Sequence, residues 1–158
     1  MCNRIPGAQD MNNQQLARQK VKKYLNKVNK TRTAYRSELA RYKELSHVTT
    51  PARSTAPDYI KRPAPANPTE NTAIKLDAQY KKMARAFKRY VDTRSQVEIE
   101  ILNLKNIQLS LILYMRYISC MNWKTISNVT DKSEPQLYIL HNRALDLFIN
   151  YLLTHRDA

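Results

Sequence analysis

The sequence has very little glycine, since Gly7 is its single glycine residue. A dinucleotide-binding loop, a Walker loop and a glycine-flanked nucleophile elbow each need several glycines, so these motifs are excluded. The two cysteines, Cys2 and Cys120, are far apart and do not form a disulfide framework. The most apolar run, residues 107–118, is interrupted by polar side chains and is too short to span a bilayer. We therefore expect a cytoplasmic protein with no membrane partner.

Acidic residues are also few, because 13 Asp and Glu stand against 27 Lys and Arg, with a formal net charge of +14. The excess lies in the first part of the chain. Residues 1–90 hold 20 basic and 6 acidic side chains, whereas residues 91–158 hold 7 of each. This balance favours an acidic polymer as partner, with nucleic acid ahead of an anionic membrane.

Two segments carry apolar residues at alternating steps of three and four, the spacing of a coiled-coil seam. The first seam lies in residues 14–47 and the second in residues 70–105. Each contains one arginine, Arg32 and Arg94 respectively. The pattern predicts two long helices, which pair either as an antiparallel hairpin or as a coiled coil between chains.

Five of the seven prolines fall within residues 51–68, which have no apolar periodicity. This composition is typical of a partly extended linker. The sequence therefore divides into a basic N-terminal helix at 1–48, a proline-rich linker at 49–69, a second long helix at 70–105 and a C-terminal domain at 106–158.

The C-terminal domain has the pattern of three short helices. Asn106 is a predicted cap for a mostly apolar helix, a second helix fits 123–130, and Ser133 with Gln136 forms the capping box of a third. The second helix is expected to bury Trp123, Ile126 and Val129. The third is expected to bury the following residues: Leu137, Leu140, His141, Ala144, Leu145 and Phe148. Two helices joined by a tight turn and packed on another predict a helix-turn-helix, with Asp131 in the left-handed conformation.

The arrangement of these residues resembles the phage transcriptional regulators of the ArpU type, which have a sigma-factor region-four-like helix-turn-helix. The resemblance covers about residues 104–150 and rests on the following positions: Leu111, Leu113, Arg116, Tyr117, Ile118, Trp123, Ile126, Ser133, Leu137, Tyr138, Leu140, His141, Ala144 and Leu145. It implies an all-α protein with a long coiled-coil-like N-terminal hairpin followed by a sigma-like helix-turn-helix. It further implies a regulator of late phage or prophage genes that acts with host RNA polymerase.

The inward positions of the last helix leave five side chains pointing away from the core: Glu134, Gln136, Tyr138, Asn142 and Arg143. All of these except Glu134 are predicted contacts to DNA bases. The predicted contacts to DNA phosphates are Lys124, Lys132, Ser133, Lys81, Lys82, Arg85, Lys88 and Arg89. A solvated helix face is the alternative reading of the basic flanks.

Other chemistry-bearing residues are expected to be structural. His141 should be packed and hydrogen-bonded, Cys120 and Trp123 should lie in the core, and Arg116 should pair with an acidic neighbour. The sequence has no recognisable carboxylate pair, nucleophilic triad or metal-ligand spacing, so we expect no enzyme activity, metal or cofactor.

Three functions stay open from the sequence. The first is a sequence-specific regulator that binds double-stranded DNA, as a monomer or a homodimer, in the nucleoid of a bacterial host. The second is a DNA-packaging recognition subunit of the small-terminase type, which would form rings of many copies. The third is a protein-interaction module that does not bind DNA.

Salt dependence separates the DNA-binding functions from the third. If the protein neutralises about five phosphates, log K for duplex DNA should fall with log salt at a slope of roughly −4 to −5. A filter-binding or fluorescence-anisotropy titration at several salt concentrations measures this slope. Absence of any salt-dependent binding would support the protein-interaction module instead.

Overall fold

A computed structural model describes residues 8–49 and 70–156. These ranges are helical and contain no β-strand, which confirms the all-α class for the described residues. The helices are α1 (Ala8–Leu25), α2 (Lys27–Thr49), α3 (Glu70–Leu102), α4 (Ile107–Leu113), α5 (Trp123–Thr130) and α6 (Glu134–Arg156), and a π-helical turn (Tyr114–Ile118) directly follows α4. Apart from Thr49, the predicted linker at 49–69 lies outside the described residues.

The chain divides into two compact units. The first consists of Met1–Lys30 together with Asp92–Ala158, and the second consists of Thr31–Val91. The first unit therefore contains the predicted C-terminal domain and also α1, which ends 81 residues before that domain begins at Asn106.

The long helices differ from the predicted segments at their ends. Asn26 separates α1 from α2, although its N–H still donates to the carbonyl of Lys22 at 3.0 Å and its own carbonyl accepts from the N–H of Lys30 at 3.1 Å. Asparagine favours non-helical conformations because its side chain competes for backbone hydrogen bonds. The helix α3 ends at Leu102 instead of 105, since the N–H of Leu104 bonds to Ile101 in a tighter turn.

The core of the first unit is assembled around α6, which contacts α1, α4 and α5. Leu137, Ala144, Leu145 and Phe148 form its fully buried stripe. Residues of both predicted seams join the same core: Val21, Leu25, Val28, Val97, Ile101 and Leu104 are buried. The predicted inward face of α6 is confirmed, with Leu140 half-buried.

An ion pair fixes α1 against α6. The guanidinium of Arg18 donates from Nε to Oδ1 of Asp146 at 2.7 Å and from Nη2 to Oδ2 at 2.6 Å. Such a two-bond geometry is stronger and more directional than a single contact. Tyr24 adds a hydrogen bond from its hydroxyl to Glu100 on α3 at 2.7 Å. Three helices that are distant in sequence are therefore joined by directional contacts as well as by the apolar core.

The chain after α4 widens into the π-helical turn instead of continuing as a regular helix. The N–H of Ser119 bonds to the carbonyl of Tyr114 at 3.0 Å, five residues back. Met115, Tyr117 and Ile118 are all buried in this turn. Cys120 then adopts a left-handed conformation, with φ of 56°. The prediction that Cys120 is a core residue is not confirmed, because its side chain is only half-buried.

The second unit is held together by aromatic rings. Tyr35 on α2 packs on Phe87 and Tyr90 of α3, with centroid distances of 5.1 and 6.2 Å, and Tyr42 packs on Tyr80 at 5.9 Å. The partners of later α2 residues lie earlier in α3, so the helices run antiparallel in this unit.

A polar contact accompanies these rings. The side-chain amide of Gln79 donates to Oε2 of Glu38 at 2.7 Å and to its carbonyl at 3.2 Å. Gln79 is the one buried residue among those described in this unit. The seam positions Tyr80 and Phe87 are exposed, so the seam is only partly buried here.

Removal of a buried side chain from α6 tests this account of the core. Leu137 has no exposed surface, so Leu137→Ala should lower the free energy of unfolding by about 2–5 kcal/mol. Val129→Ala is the control, because Val129 is 62% exposed and alanine favours helix. Urea denaturation measures both values. A loss from V129A as large as that from L137A would contradict the described packing.

Candidate functional site

The turn between α5 and α6 is built by local hydrogen bonds. Asn122 begins α5, since its Oδ1 accepts from the N–H of Thr125 at 2.7 Å. Asp131 ends α5 in the left-handed conformation, with φ of 52° and ψ of 34°, as the sequence predicts. The hydroxyl of Ser127 donates to the carbonyl of Lys132 at 2.6 Å and holds the turn against α5. These contacts specify one geometry for the connection between the helices.

The N-terminus of α6 carries part of the predicted capping box. The N–H of Ser133 donates to Oε1 of Gln136 at 3.1 Å. The carbonyl of Ser133 accepts from the N–H of Leu137 at 3.0 Å, which continues the helix. Gln136 therefore has a structural contact in addition to its predicted role. A paired contact of Gln136 with adenine would require this capping bond to open.

A small apolar cluster lies behind the turn. Ile112, Met115, Ile126 and Leu137 are buried together, and Met121, Trp123 and Leu140 pack against them. This confirms Ile126 as the inward residue of α5. The prediction that Val129 is buried is wrong, because this side chain, three residues after Ile126 and near the end of the short helix, is exposed. The cluster fixes α5 and α6 on α4, so the outer face of α6 has a rigid support.

The four predicted base contacts differ in exposure. Gln136 and Arg143 are exposed, Tyr138 is 46% exposed and Asn142 is half-buried. Tyr138 lies against Trp123, with 4.9 Å between ring centroids. Arg143 is therefore an exposed side chain that can make a paired contact with a guanine edge.

Ile139 is a surface residue that the sequence reading missed. It lies between Gln136 and Arg143 along α6 and is 55% exposed. An apolar side chain on the outer face of a reading helix can contact the methyl group of thymine. Its exposure could be predicted from the sequence, since Ile139 falls outside the helical spacing of the inward residues Leu137 and Leu140.

The predicted phosphate contacts fall in both units. Lys132 and Ser133 lie in the turn between α5 and α6, with Lys132 half-buried, and Lys124 lies in the first turn of α5. The remaining five lie on α3 in the second unit and are exposed: Lys81, Lys82, Arg85, Lys88 and Arg89. Lys81 forms an ion pair with Asp77 at 2.7 Å. Their role in binding phosphate stays a prediction.

A cleft lies beside Tyr138, and we call it the cationic cleft. It has a volume of about 320 Å³ and is lined in part by Lys22, Asn26, Arg116, Trp123, Tyr138 and Asn142. The sequence reading missed Lys22 and Asn26, because the packing of α1 on α6 has no local signal in the sequence.

Arg116 is held inside this cleft by two contacts. Its Nη1 donates to the carbonyl of Met121 at 2.8 Å, and its guanidinium carbon lies 4.8 Å from the centre of the Trp123 ring. The prediction of an acidic partner for Arg116 is therefore wrong. The π-helical turn and the bend at Cys120 bring the Met121 carbonyl close enough to take that place. Trp123 is half-buried.

His141 forms the floor of the cleft with Tyr117. The Tyr117 hydroxyl and His141 Nε2 are 3.0 Å apart in a buried hydrogen bond, which confirms the predicted packed histidine. Burial, followed by the positive charges of Lys22 and Arg116, lowers the pKa of His141 to about 4. Burial raises the pKa of Tyr117 to about 12. Both groups are therefore neutral near pH 7.

The described ranges contain neither a membrane-spanning helix nor a metal site. No helix in them is long and apolar enough to cross a membrane. Those ranges also hold no group of three or more His, Cys, Asp or Glu residues placed to bind a metal ion.

Comparison with known proteins gave no relative: no family model, curated protein or solved structure matches this chain. The class of the protein therefore has to be argued from its own geometry and charge.

The depressed pKa of His141 predicts a pH-dependent stability. The folded pKa of about 4 lies below the ordinary value of 6.5, so the unfolded state binds a proton more readily. The contribution of His141 to the free energy of unfolding is therefore fully present above pH 6.5. As the pH falls from 6.5 toward 4, this contribution decreases by a total on the order of 3 kcal/mol. Urea denaturation from pH 7 to pH 4 should show this loss.

His141→Gln provides the comparison, because it removes the titrating ring. The variant should lose less stability than the parent over that interval, while His47→Gln, at an exposed position of α2, should follow the parent. Parallel curves for the parent and H141Q would contradict a buried neutral histidine.

Proposed function

We propose that this protein is a sequence-specific DNA-binding regulator of phage or prophage type, with α5 and α6 as a sigma-like helix-turn-helix. The observation that carries the proposal is the rigid turn between these helices, which leaves Gln136, Ile139 and Arg143 exposed on α6. The major groove of DNA admits an α-helix, and base edges there are read by such side chains.

The N-terminus of α6 would be placed near the DNA backbone. A helix N-terminus presents unpaired N–H groups and partial positive charge, which favour a nearby phosphate. Lys132 lies in the turn directly before α6, and Lys124 lies at the start of α5. Because residues 91–158 have no net charge, much of the electrostatic affinity would have to come from residues 1–90.

The antiparallel contacts between α2 and α3 support the long N-terminal hairpin. Its exposed basic side chains on α3 are candidates for phosphate contact. The resemblance to ArpU-type regulators adds late-gene control with host RNA polymerase to the proposal. A nucleoid location and a homodimer are further parts of it, and no enzyme activity is proposed, since the sequence has no recognisable catalytic motif.

A protein-interaction module is a second candidate, favoured by apolar exposure. Leu102 is 63% exposed and Ile107 is 82% exposed, on either side of the connection between α3 and α4. Neighbouring apolar residues at a surface often mark a protein contact. Such a contact is compatible with RNA polymerase as partner, and it becomes the main function if the protein does not bind DNA.

Selection of bound duplexes from a random pool tests the proposal. The full chain should enrich a defined motif. Arg143→Ala should relax the preference at one guanine position, at a cost of about 1–3 kcal/mol against the parent site. Lys82→Ala is the matched charge control, because it should weaken all sequences alike and flatten the salt dependence.

Two results would contradict this function. A pool with no enriched motif would mean that no base sequence is read. An unchanged motif for R143A, together with normal folding, would mean that this face of α6 does not read guanine. Enrichment by rings of many copies would instead favour the DNA-packaging subunit.

A further inference from the structure

The cationic cleft has the charge of an anion-binding site. Two cations, Lys22 and Arg116, line it, and none of its described lining residues is acidic. The two cations come from α1 and the π-helical turn, which are 94 positions apart in the sequence. Tertiary packing therefore brings together like charges that would repel one another without an anion between them or nearby.

Arg116 is pre-oriented for such a contact. One of its terminal nitrogens bonds to the Met121 carbonyl, and its guanidinium carbon lies 4.8 Å from the centre of the Trp123 ring. A guanidinium has five N–H donors in a fixed planar arrangement, so this anchoring leaves others for a ligand. A bound oxyanion would meet a group that has already lost its conformational freedom, which reduces the entropic cost of binding.

The charges of both cations act inside the cleft. Besides burial, Lys22 and Arg116 contribute to the low pKa of His141, so their fields reach the floor of the cleft. The same floor offers the neutral His141–Tyr117 pair, which carries no negative charge to repel an anion near pH 7. The cleft therefore carries the two positive charges of Lys22 and Arg116, whereas the His141–Tyr117 pair at its floor is uncharged near pH 7.

The other lining groups indicate what an anionic ligand carries besides charge. Asn26 and Asn142 have amides that donate and accept hydrogen bonds, and Tyr138 has an aromatic ring with 46% exposure. The volume of about 320 Å³ is at the lower end of the range of roughly 300–1,000 Å³ for small-ligand sites. A phosphate joined to a planar, hydrogen-bonding ring satisfies these features together.

We infer that the cationic cleft binds a nucleotide, with its phosphate at Lys22 and Arg116 and its base toward Tyr138 and Asn142. The nucleotide is either a free mononucleotide or a unit of a DNA strand, since both present the same phosphate and base. Because Tyr138 and Asn142 are also predicted base contacts of α6, a free nucleotide in the cleft would compete with the use of these two residues in DNA recognition.

The single tryptophan of the chain, Trp123, lines the cleft and reports on it directly. The full chain is titrated with adenosine monophosphate at constant ionic strength, with excitation at the red edge of tryptophan absorption. Adenosine and inorganic phosphate are titrated in parallel. We expect adenosine monophosphate to change the emission saturably, and to bind at least about tenfold more tightly than adenosine, because the charged phosphate contact contributes most of the affinity.

Lys22→Gln and Lys23→Gln form a matched pair of neutral variants. Lys22 lines the cleft, whereas its neighbour Lys23 is exposed on α1 and does not line it. K22Q should weaken adenosine monophosphate at least about tenfold, and K23Q by less than about twofold. Thermal unfolding of both variants shows whether the fold is retained. Arg116 is left unchanged, because it also holds the Met121 carbonyl.

Three results would overturn the inference: no saturable change at millimolar nucleotide, equal affinity for adenosine and its monophosphate, or equal weakening by K22Q and K23Q in folded proteins. Titration with a short duplex then separates the two sources. If the duplex changes Trp123 emission and competes with the mononucleotide, the cleft contacts DNA. If the duplex leaves the emission unchanged, the ligand is a free nucleotide. Both outcomes retain the cleft as a nucleotide site.

Discussion

The buried stripe of α6 is the constraint on which the first unit depends. Leu137, Ala144, Leu145 and Phe148 have no exposed surface, and the helix that carries them contacts α1, α4 and α5. A helix packed on several sides has one orientation that satisfies all of its contacts, because protein interiors are close-packed. The exposed side chains of α6 are therefore presented at fixed positions. The ion pair between Arg18 and Asp146 adds directional hydrogen bonds between α1 and α6 to this apolar packing.

The two candidate surfaces follow from the same stripe. Gln136, Ile139 and Arg143 are left on the open side of α6, where the turn from α5 sets their distance from the DNA in the proposed complex. His141 is on the buried side and joins Tyr117 below the cationic cleft. Tyr138 and Asn142 lie between the two surfaces. In the proposed complexes, DNA at α6 and a ligand in the cationic cleft would both contact Tyr138 and Asn142.

The local features of the C-terminal region could be predicted from the sequence. The bounds of α5, the cap at Asn106 and the left-handed Asp131 all depend on residues within a few positions of each other. The inward face of α6 also follows from its own spacing. These features can be predicted from a single sequence, because they do not depend on contacts between distant segments.

The misses have a different physical origin. The pairing of Arg18 with Asp146 spans 128 positions, and nothing in either segment specifies the other. The cleft depends on that packing, so Lys22 could not be selected from its neighbours. The sequence predicts an acidic partner for Arg116, whereas the structure has a backbone carbonyl there. The π-helical turn that brings this carbonyl to Arg116 has no simple sequence signal. Val129 fits the apolar spacing of Ile126, but α5 ends at Thr130, and Val129 in its last turn is exposed.

The central claim is that the open face of α6 contacts DNA bases. Backbone amide NMR spectra of the full chain, recorded while a selected duplex is added, test this most directly. The account predicts the largest shift changes at Gln136, Ile139 and Arg143, with smaller changes at buried positions such as Leu145. Changes confined to residues 31–91, with α6 unaffected at saturating DNA, would contradict it.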